Sequence, residues 1–309
     1  MLHFGTEEIL LAGSLLLLAG VVAGKTSSRF GVPTLLLFLV VGILAGSEGI
    51  GGIRFDDPHI AQLIGITALV FILFAGGMET SWQKIRPVLW QGISLSVAGV
   101  LVTAAVTGLF VHYLLGFTLA EGLLLGAIVS ATDAAAVFSI LRDRGLKLQP
   151  RVATLLEFES GSNDPMAYFL TITLTGVVAT GDFQAGNIVF HFLKAFFIGG
   201  LAGYGMGKLA LYIINRIALT ADGLYPVLLL GLALFTYAAT HEAGGNGFLA
   251  VYICALVLGN NDFIHKKSLL KFYEGQAWLM QLILFVTLGL LVFPSRVIPL
   301  MGTGMLVAV

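Results

Sequence analysis

Ser130-Ala-Thr-Asp-Ala-Ala-Ala136 and Glu159-Ser-Gly-Ser-Asn-Asp-Pro165 are two short polar islands set inside long apolar runs. The first interrupts the stretch 119–141 and the second the stretch 151–180, with Arg142, Arg144, Lys147 and Arg151 between them. An ionised side chain at bilayer depth costs about 2.5 kcal/mol or more, so a carboxylate there marks function by default. Asp133 and Asp164 fall on consecutive segments, and together they define a candidate site.

The rest of the chain explains why these runs read as membrane spans. Of 309 residues, 58% are hydrophobic and 11% charged, against roughly 25% charged in an ordinary soluble domain. The expected class is an all-α polytopic membrane protein. The 39 glycines suit helices that approach closely or unwind beside a cavity. A net charge of −1 gives no reason to expect a nucleic-acid partner. Cys254 is the single cysteine, which excludes an internal disulfide, and it reads as a small core residue. The six histidines show no metal-ligand spacing, and no cofactor is expected.

Apolar segments run at about 7–24, 33–46, 60–77, 88–115, 119–141, 151–180, 187–217, 223–241, 247–259 and 275–293, with another from about 297. That gives ten spans and the start of an eleventh. Segments 33–46 and 247–259 are short for a bilayer that needs about 20 helical residues. Loops after odd-numbered spans hold Lys25, Arg29, Lys84, Arg86, Arg142, Arg144, Lys147, Arg151, Arg216, Lys266, Lys267 and Lys271, while even-numbered ones hold only Arg54 and Arg296. Cytoplasmic loops collect Lys and Arg, so this distribution predicts an external N-terminus. Lys194 and Lys208 lie inside the seventh segment and read as snorkelling side chains. Gly31-Val-Pro-Thr-Leu in the second span echoes Gly247-Phe-Leu-Ala-Val in the ninth, and Leu69-Val-Phe-Ile-Leu-Phe echoes Ile283-Leu-Phe-Val-Thr-Leu. The paired spans run in opposite directions, the pattern of an inverted repeat.

Helical spacing puts Glu157, Ser160, Asp164, Thr171 and Thr175 near one face of the sixth span, with Glu159 and Asn163 on the adjoining strip. Such a stripe should face a cavity. Pro165 after Asp164 removes one backbone hydrogen bond, so the carbonyls around Gly161 to Pro165 are expected to be free to act as ligands. On the fifth span, Ala131 and Ala134 to Ala136 flank Thr132 and Asp133 and allow close contact. Carboxylate, hydroxyl and carbonyl oxygens together suit a hard cation, and a shared carboxylate can hold that cation or a proton. Glu157 and Glu79 read as helix-end charges, and Asn246 between two glycines reads as a turn.

Thr132-Asp133, followed after a basic loop by Glu159-Ser-Gly-Ser-Asn163-Asp164-Pro165, resembles the paired signature of the monovalent cation/proton antiporter superfamily, in its electroneutral Asn-Asp branch. Gly31-Val-Pro33, Phe74-Ala-Gly-Gly77 and Ser130 to Phe138 bring the resemblance closest to NhaP-type bacterial potassium/proton antiporters of cell-volume regulation. It implies an inverted-repeat fold of about thirteen helices with discontinuous crossing helices, of which this C-terminally truncated chain would hold about 10–11. It implies one transmembrane transporter domain over 1–309: 60–180 carries most of the ion-binding core of the first repeat, 187–217 is a long linking helix, and 223–309 is an incomplete second repeat. It also implies a secondary transporter, not an enzyme, exchanging K+ or Na+ for H+ as a homodimer in the bacterial inner membrane. Carried over residue by residue, Asp164 would be the main cation and proton carboxylate. Asp133, Ser160 and the Thr132 carbonyl would complete the site, with Glu159 and Asn163 in support. The arginine that pairs with the matching glutamate in such families is not in the chain, so Glu159 is expected to lack its partner and take up a proton. Two other classes compete. An intramembrane aspartyl protease also needs two aspartates, but in Tyr-Asp and Gly-x-Gly-Asp contexts. A passive cation channel would need a filter sequence, and none is present.

Overall fold

The computed structural model describes residues 5–30, 32–133, 137, 138, 141, 146 and 148–308. Of the positions singled out above, Gly31, Ala134 to Ala136, Arg142, Arg144 and Lys147 lie outside these residues. The described chain is built from helices α1 (Thr6–Phe30), α2 (Thr34–Ala45), α3 (Pro58–Glu79), α4 (Trp82–Leu115), α5 (Leu119–Val129), α6 (Pro150–Thr180), α7 (Ala185–Arg216), α8 (Leu224–Glu242), α9 (Gly247–Gly259), α10 (Lys266–Leu290) and α11 (Met301–Ala308). Short turns at Pro294–Val297 and Ile298–Leu300 lead into α11.

A helix stands at each apolar segment expected from hydropathy, because only a helix satisfies its own backbone in hydrocarbon. Five of them, α1, α3, α4, α7 and α8, are long and apolar enough to cross a membrane. A sixth span is obtained if α10 and the helical run after it, bent by 70°, are taken together. The echoing helices α2 and α9 are both short, at 12 and 13 residues.

The boundaries correct two expectations. α10 begins at Lys266, so Lys266, Lys267 and Lys271 sit on its first turns and not in a loop; Lys84, Arg86 and Arg151 are helical too. Hydropathy ends a segment where polar residues start, whereas the helix continues into the interface.

The described residues divide into two compact units. One is drawn from Met1–Leu69, Ala135–Lys147 and Gln276–Val309. Its core is Phe38, Leu282, Val286 and Leu290. Gly42 and Gly289 meet backbone to backbone, since a Cβ on either would overlap the other helix. After α2 the chain folds back through Gly51 N–H to the Leu44 carbonyl (3.0 Å) and Ile53 N–H to that of Ala45 (3.0 Å). The loop residue Glu48 accepts hydrogen bonds from the Ser295 amide (2.7 Å) and hydroxyl. These two bonds hold its carboxyl below the usual carboxylate range.

The other unit is drawn from Val70–Ala134 and Leu148–Gly275, and it carries the candidate site. α4 and α5 form a close hairpin. A Cβ at Gly122 would lie 2.5 Å from the Gly108 carbonyl oxygen, and one at Gly126 would overlap Ala104. α7 packs on α9 through Gly199, Gly203 and Gly207, where a Cβ would meet the backbone oxygens of Asn246 (2.7 Å), Ala250 (2.5 Å) and Cys254 (3.0 Å) in turn. A glycine every four residues lines one face, as close helix packing in lipid requires. Cys254 is fully buried, the small core residue expected.

Candidate functional site

The site is built on the end of α5. Thr118 and Glu121 form a capping box at its start. At its end, Ser130 folds both its amide (3.4 Å) and its hydroxyl (2.7 Å) back onto the Ala127 carbonyl. The backbone then leaves the helix, and Ala131, Thr132 and Asp133 are irregular. Hydroxyl bonding to a carbonyl of the preceding turn competes with the helical ladder, and it frees backbone groups inside an otherwise apolar segment.

Three side chains hold the freed segment to α6. The Thr132 hydroxyl donates to the Glu159 carboxylate, 3.0 Å from Oε2 and 3.3 Å from Oε1. Asn163 Nδ2 donates to the Thr132 hydroxyl and to Glu159 Oε1 (3.0 Å). Both the Thr132 hydroxyl and the Asn163 amide thus converge on the Glu159 side chain. In place of the arginine that the resemblance implies, Thr132 and Asn163 are the hydrogen-bond partners of the Glu159 carboxylate among the described residues. Asn163 is fully buried, and its Oδ1 has no hydrogen-bond partner among the described residues. Ser160 Oγ donates to the Thr132 carbonyl (3.0 Å), leaving that oxygen a second lone pair.

Asp164 lies one residue further along α6, partly buried, within electrostatic reach of Asp133 and Glu159. Among the described residues no hydrogen-bond donor engages its carboxylate, in contrast with Glu159. The structure thus brings Asp164, Ser160, Glu159, Asn163 and Thr132 together with the chain carrying Asp133. Their oxygens comprise carboxylates, hydroxyls and a main-chain carbonyl, a set of hard donors that suits a hard cation. Glu157 is exposed, as expected of a helix-end charge.

Pro165 behaves differently from expectation. α6 runs unbroken from Pro150 to Thr180, with Pro165 inside it. The break that releases a carbonyl falls instead at Ser130 to Asp133 on α5. From the start of another helix, Asn246 Nδ2 donates to the Pro165 carbonyl at 2.9 Å. Asn246 is thus no simple turn residue. It caps α9 by accepting from the Leu249 amide (3.0 Å), and its own amide donates to the Ala195 carbonyl (2.8 Å). Its place directly before the apolar run of α9 is the sequence signal of an N-cap. Ser96, also missed in the sequence, donates from α4 to the carbonyls of Gly92 (2.8 Å) and Glu159 (3.2 Å).

Residues 13–309 match the family described as sodium/hydrogen exchanger, transmembrane. The chain belongs to this exchanger family. The exchangers are transporters rather than enzymes, and the resemblance read from the two motifs is borne out. The chain is 46% identical over 290 residues to the K(+)/H(+) antiporter NhaP of Alkalimonas amylolytica, covering 94% of this chain and 50% of that protein. It is 43% identical over 304 residues to the K(+)/H(+) antiporter NhaP2 of Shewanella sp. (strain ANA-3), covering 98% of this chain and 52% of that protein. The chain spans about half the length of these relatives. Its fold matches the sodium proton antiporter MjNhaP1 of Methanocaldococcus jannaschii with a TM-score of 0.82 at 26% identity, over 97% of this chain and 75% of that one. The chain is therefore an all-α multi-pass membrane protein with the antiporter fold.

Proposed function

We propose that the protein exchanges K+ or Na+ for H+ by alternating access, with cation and proton taking turns at one carboxylate centre. The observation that carries this reading is the contrast between two neighbouring acids. Glu159 is saturated by Thr132 and Asn163 and serves as a brace, whereas Asp164 faces the same broken segment without a donor among the described residues. In this reading Asp164 binds the ion. Asp133, Ser160 and the Thr132 carbonyl complete the shell, and Asn163 and Glu159 hold the break in register. Asn163 brings no second charge, which favours one-for-one, electroneutral exchange. Potassium is favoured by the names of the NhaP relatives, and sodium by that of the archaeal structure. As domain organisation we propose one transporter domain over 1–309, with 60–180 as first-repeat core and 187–217 as the linking helix. A homodimer in the bacterial inner membrane, serving pH homeostasis and cell-volume regulation, completes the proposal.

Reconstituted protein carrying an imposed pH gradient is expected to dissipate it on addition of K+ or Na+, saturably and without dependence on a clamped voltage. A saturable exchange that moves net charge would contradict the stoichiometry. A non-saturating cation current that moves no protons would replace the exchanger by a channel. The positive-inside count supports an external N-terminus. Asp182→Cys, in the loop between α6 and α7, is then expected to react with an impermeant thiol reagent in intact cells. Labelling only after permeabilisation would invert the topology.

A further inference from the structure

We propose that the crevice between α4, α6, α7 and α9 is a binding site for one anionic phospholipid, with an acyl chain in its apolar interior and the phosphate at Lys208. The crevice encloses about 670 Å³, within the roughly 300–1,000 Å³ typical of pockets that hold a discrete ligand. Ile93, Val97, Phe196, Leu249, Ile253 and Leu256 give it apolar walls. Polar and indole groups gather at one end, where Trp82, Asn260, Asn261 and Lys208 stand. That end is the one the distribution of Lys and Arg assigns to the cytoplasmic face, where anionic lipids concentrate and basic pockets between helices take their head groups.

Charge complementarity singles out the occupant. The two asparagines at the mouth are already engaged. Asn260 donates to the Thr80 carbonyl (2.8 Å) and accepts from the Trp82 amide (2.7 Å), and Asn261 donates to the Val257 carbonyl (2.7 Å). Lys208 is exposed, with its ammonium 5.7 Å from the centroid of the Tyr204 ring. Among the described residues it has no carboxylate within ion-pair distance. A lone ammonium beside the Tyr204 ring, at the mouth of an apolar slot, fits a phosphate ester with a hydrocarbon tail. No acidic side chain lines the crevice to receive the ammonium of a zwitterionic head group. Snorkelling accounts for the length of the lysine side chain but not for the slot beneath it. Tyr204, 55% exposed, borders the opening and leaves a lateral path from the bilayer.

The slot reaches the back of the ion-binding helix. Phe158 and Ser162 of α6 line it, as does Ser96, which bonds the Glu159 carbonyl. A bound chain therefore packs against α4 and α6 behind the triad, and its occupancy is expected to stabilise the fold.

The test uses detergent-purified protein in which Trp90 and Trp278 are replaced by Phe, leaving Trp82 at the mouth as the fluorophore. Phosphatidylglycerol with brominated acyl chains is expected to quench Trp82 saturably, at several-fold lower concentration than brominated phosphatidylcholine, and to raise the thermal midpoint. Lys208→Gln, at an exposed position, should bring the anionic lipid to the level of the zwitterionic one. Ile253→Phe, which fills the slot, should remove saturable quenching by both. Equal quenching by the two lipids, unchanged by Lys208→Gln, would mean annular contact only and overturn the site. A rise in thermal midpoint with inorganic phosphate alone, with the same dependence on Lys208, would make the ligand a free anion and also overturn it.

Discussion

Asp164→Asn is expected to reduce cation/proton exchange to the detection limit while leaving the protein folded. The amide keeps the shape of the side chain but can neither carry the charge that attracts a cation nor shuttle a proton. Its removal should not harm folding, because a neutral amide is less costly to hold at a partly buried position than a carboxylate. The thermal midpoint should stay within about 5 °C of the parent. Asp133→Asn should be milder and raise the cation concentration for half-maximal exchange before it lowers the maximal rate. Near-normal exchange by a folded Asp164→Asn protein, with unchanged pH dependence, would reduce Asp164 to a structural residue.

Asn163→Ala should have the next largest effect, through architecture rather than charge. Asn163 is fully buried and spans Thr132 and Glu159. Its removal takes two donors from the triad, one of them bonded to a carboxylate. A hydrogen bond to a charged group contributes about 1.5–3 kcal/mol, so a loss of stability of that order is expected, with exchange falling alongside. Thr132→Ala removes another member of the same unit. The double variant should therefore lose less than the sum of the single losses, by about 0.5–3 kcal/mol. Thermal midpoints of the three variants check this, and strict additivity would show that the triad does not act as a unit.

Much of this arrangement was legible in the amino-acid order. Asp133 and Asp164 were visible because carboxylates in apolar runs need a reason to be there, and 3.6-residue spacing placed Ser160 and Asp164 on one stripe. The backbone break was not legible from the residues alone, although the family resemblance implied that the fifth and twelfth helices are the broken ones. Local rules pointed to Pro165, which lacks an N–H, yet α6 runs on through it from Pro150 to Thr180. The break is held by Ser160 and Glu159, 28 and 27 positions from Thr132, and no window along the chain contains both partners. Asn246 is a different kind of miss. Its position before α9 carried an N-cap signal, but the glycines on either side favoured a turn. The start of α10 was misplaced for a third reason: its first turns are amphipathic, and a hydropathy window registers only what is uniformly apolar.

Competition between cation and proton for one centre is tested most directly by binding without transport. Titration calorimetry of K+ and Na+ into purified protein, in buffers of different protonation enthalpy and over a series of pH values, counts the protons displaced. One proton released per cation bound is predicted on the acidic side, where the apparent dissociation constant should weaken about tenfold per pH unit. Cation binding that releases no proton, with an affinity independent of pH, would contradict a shared carboxylate.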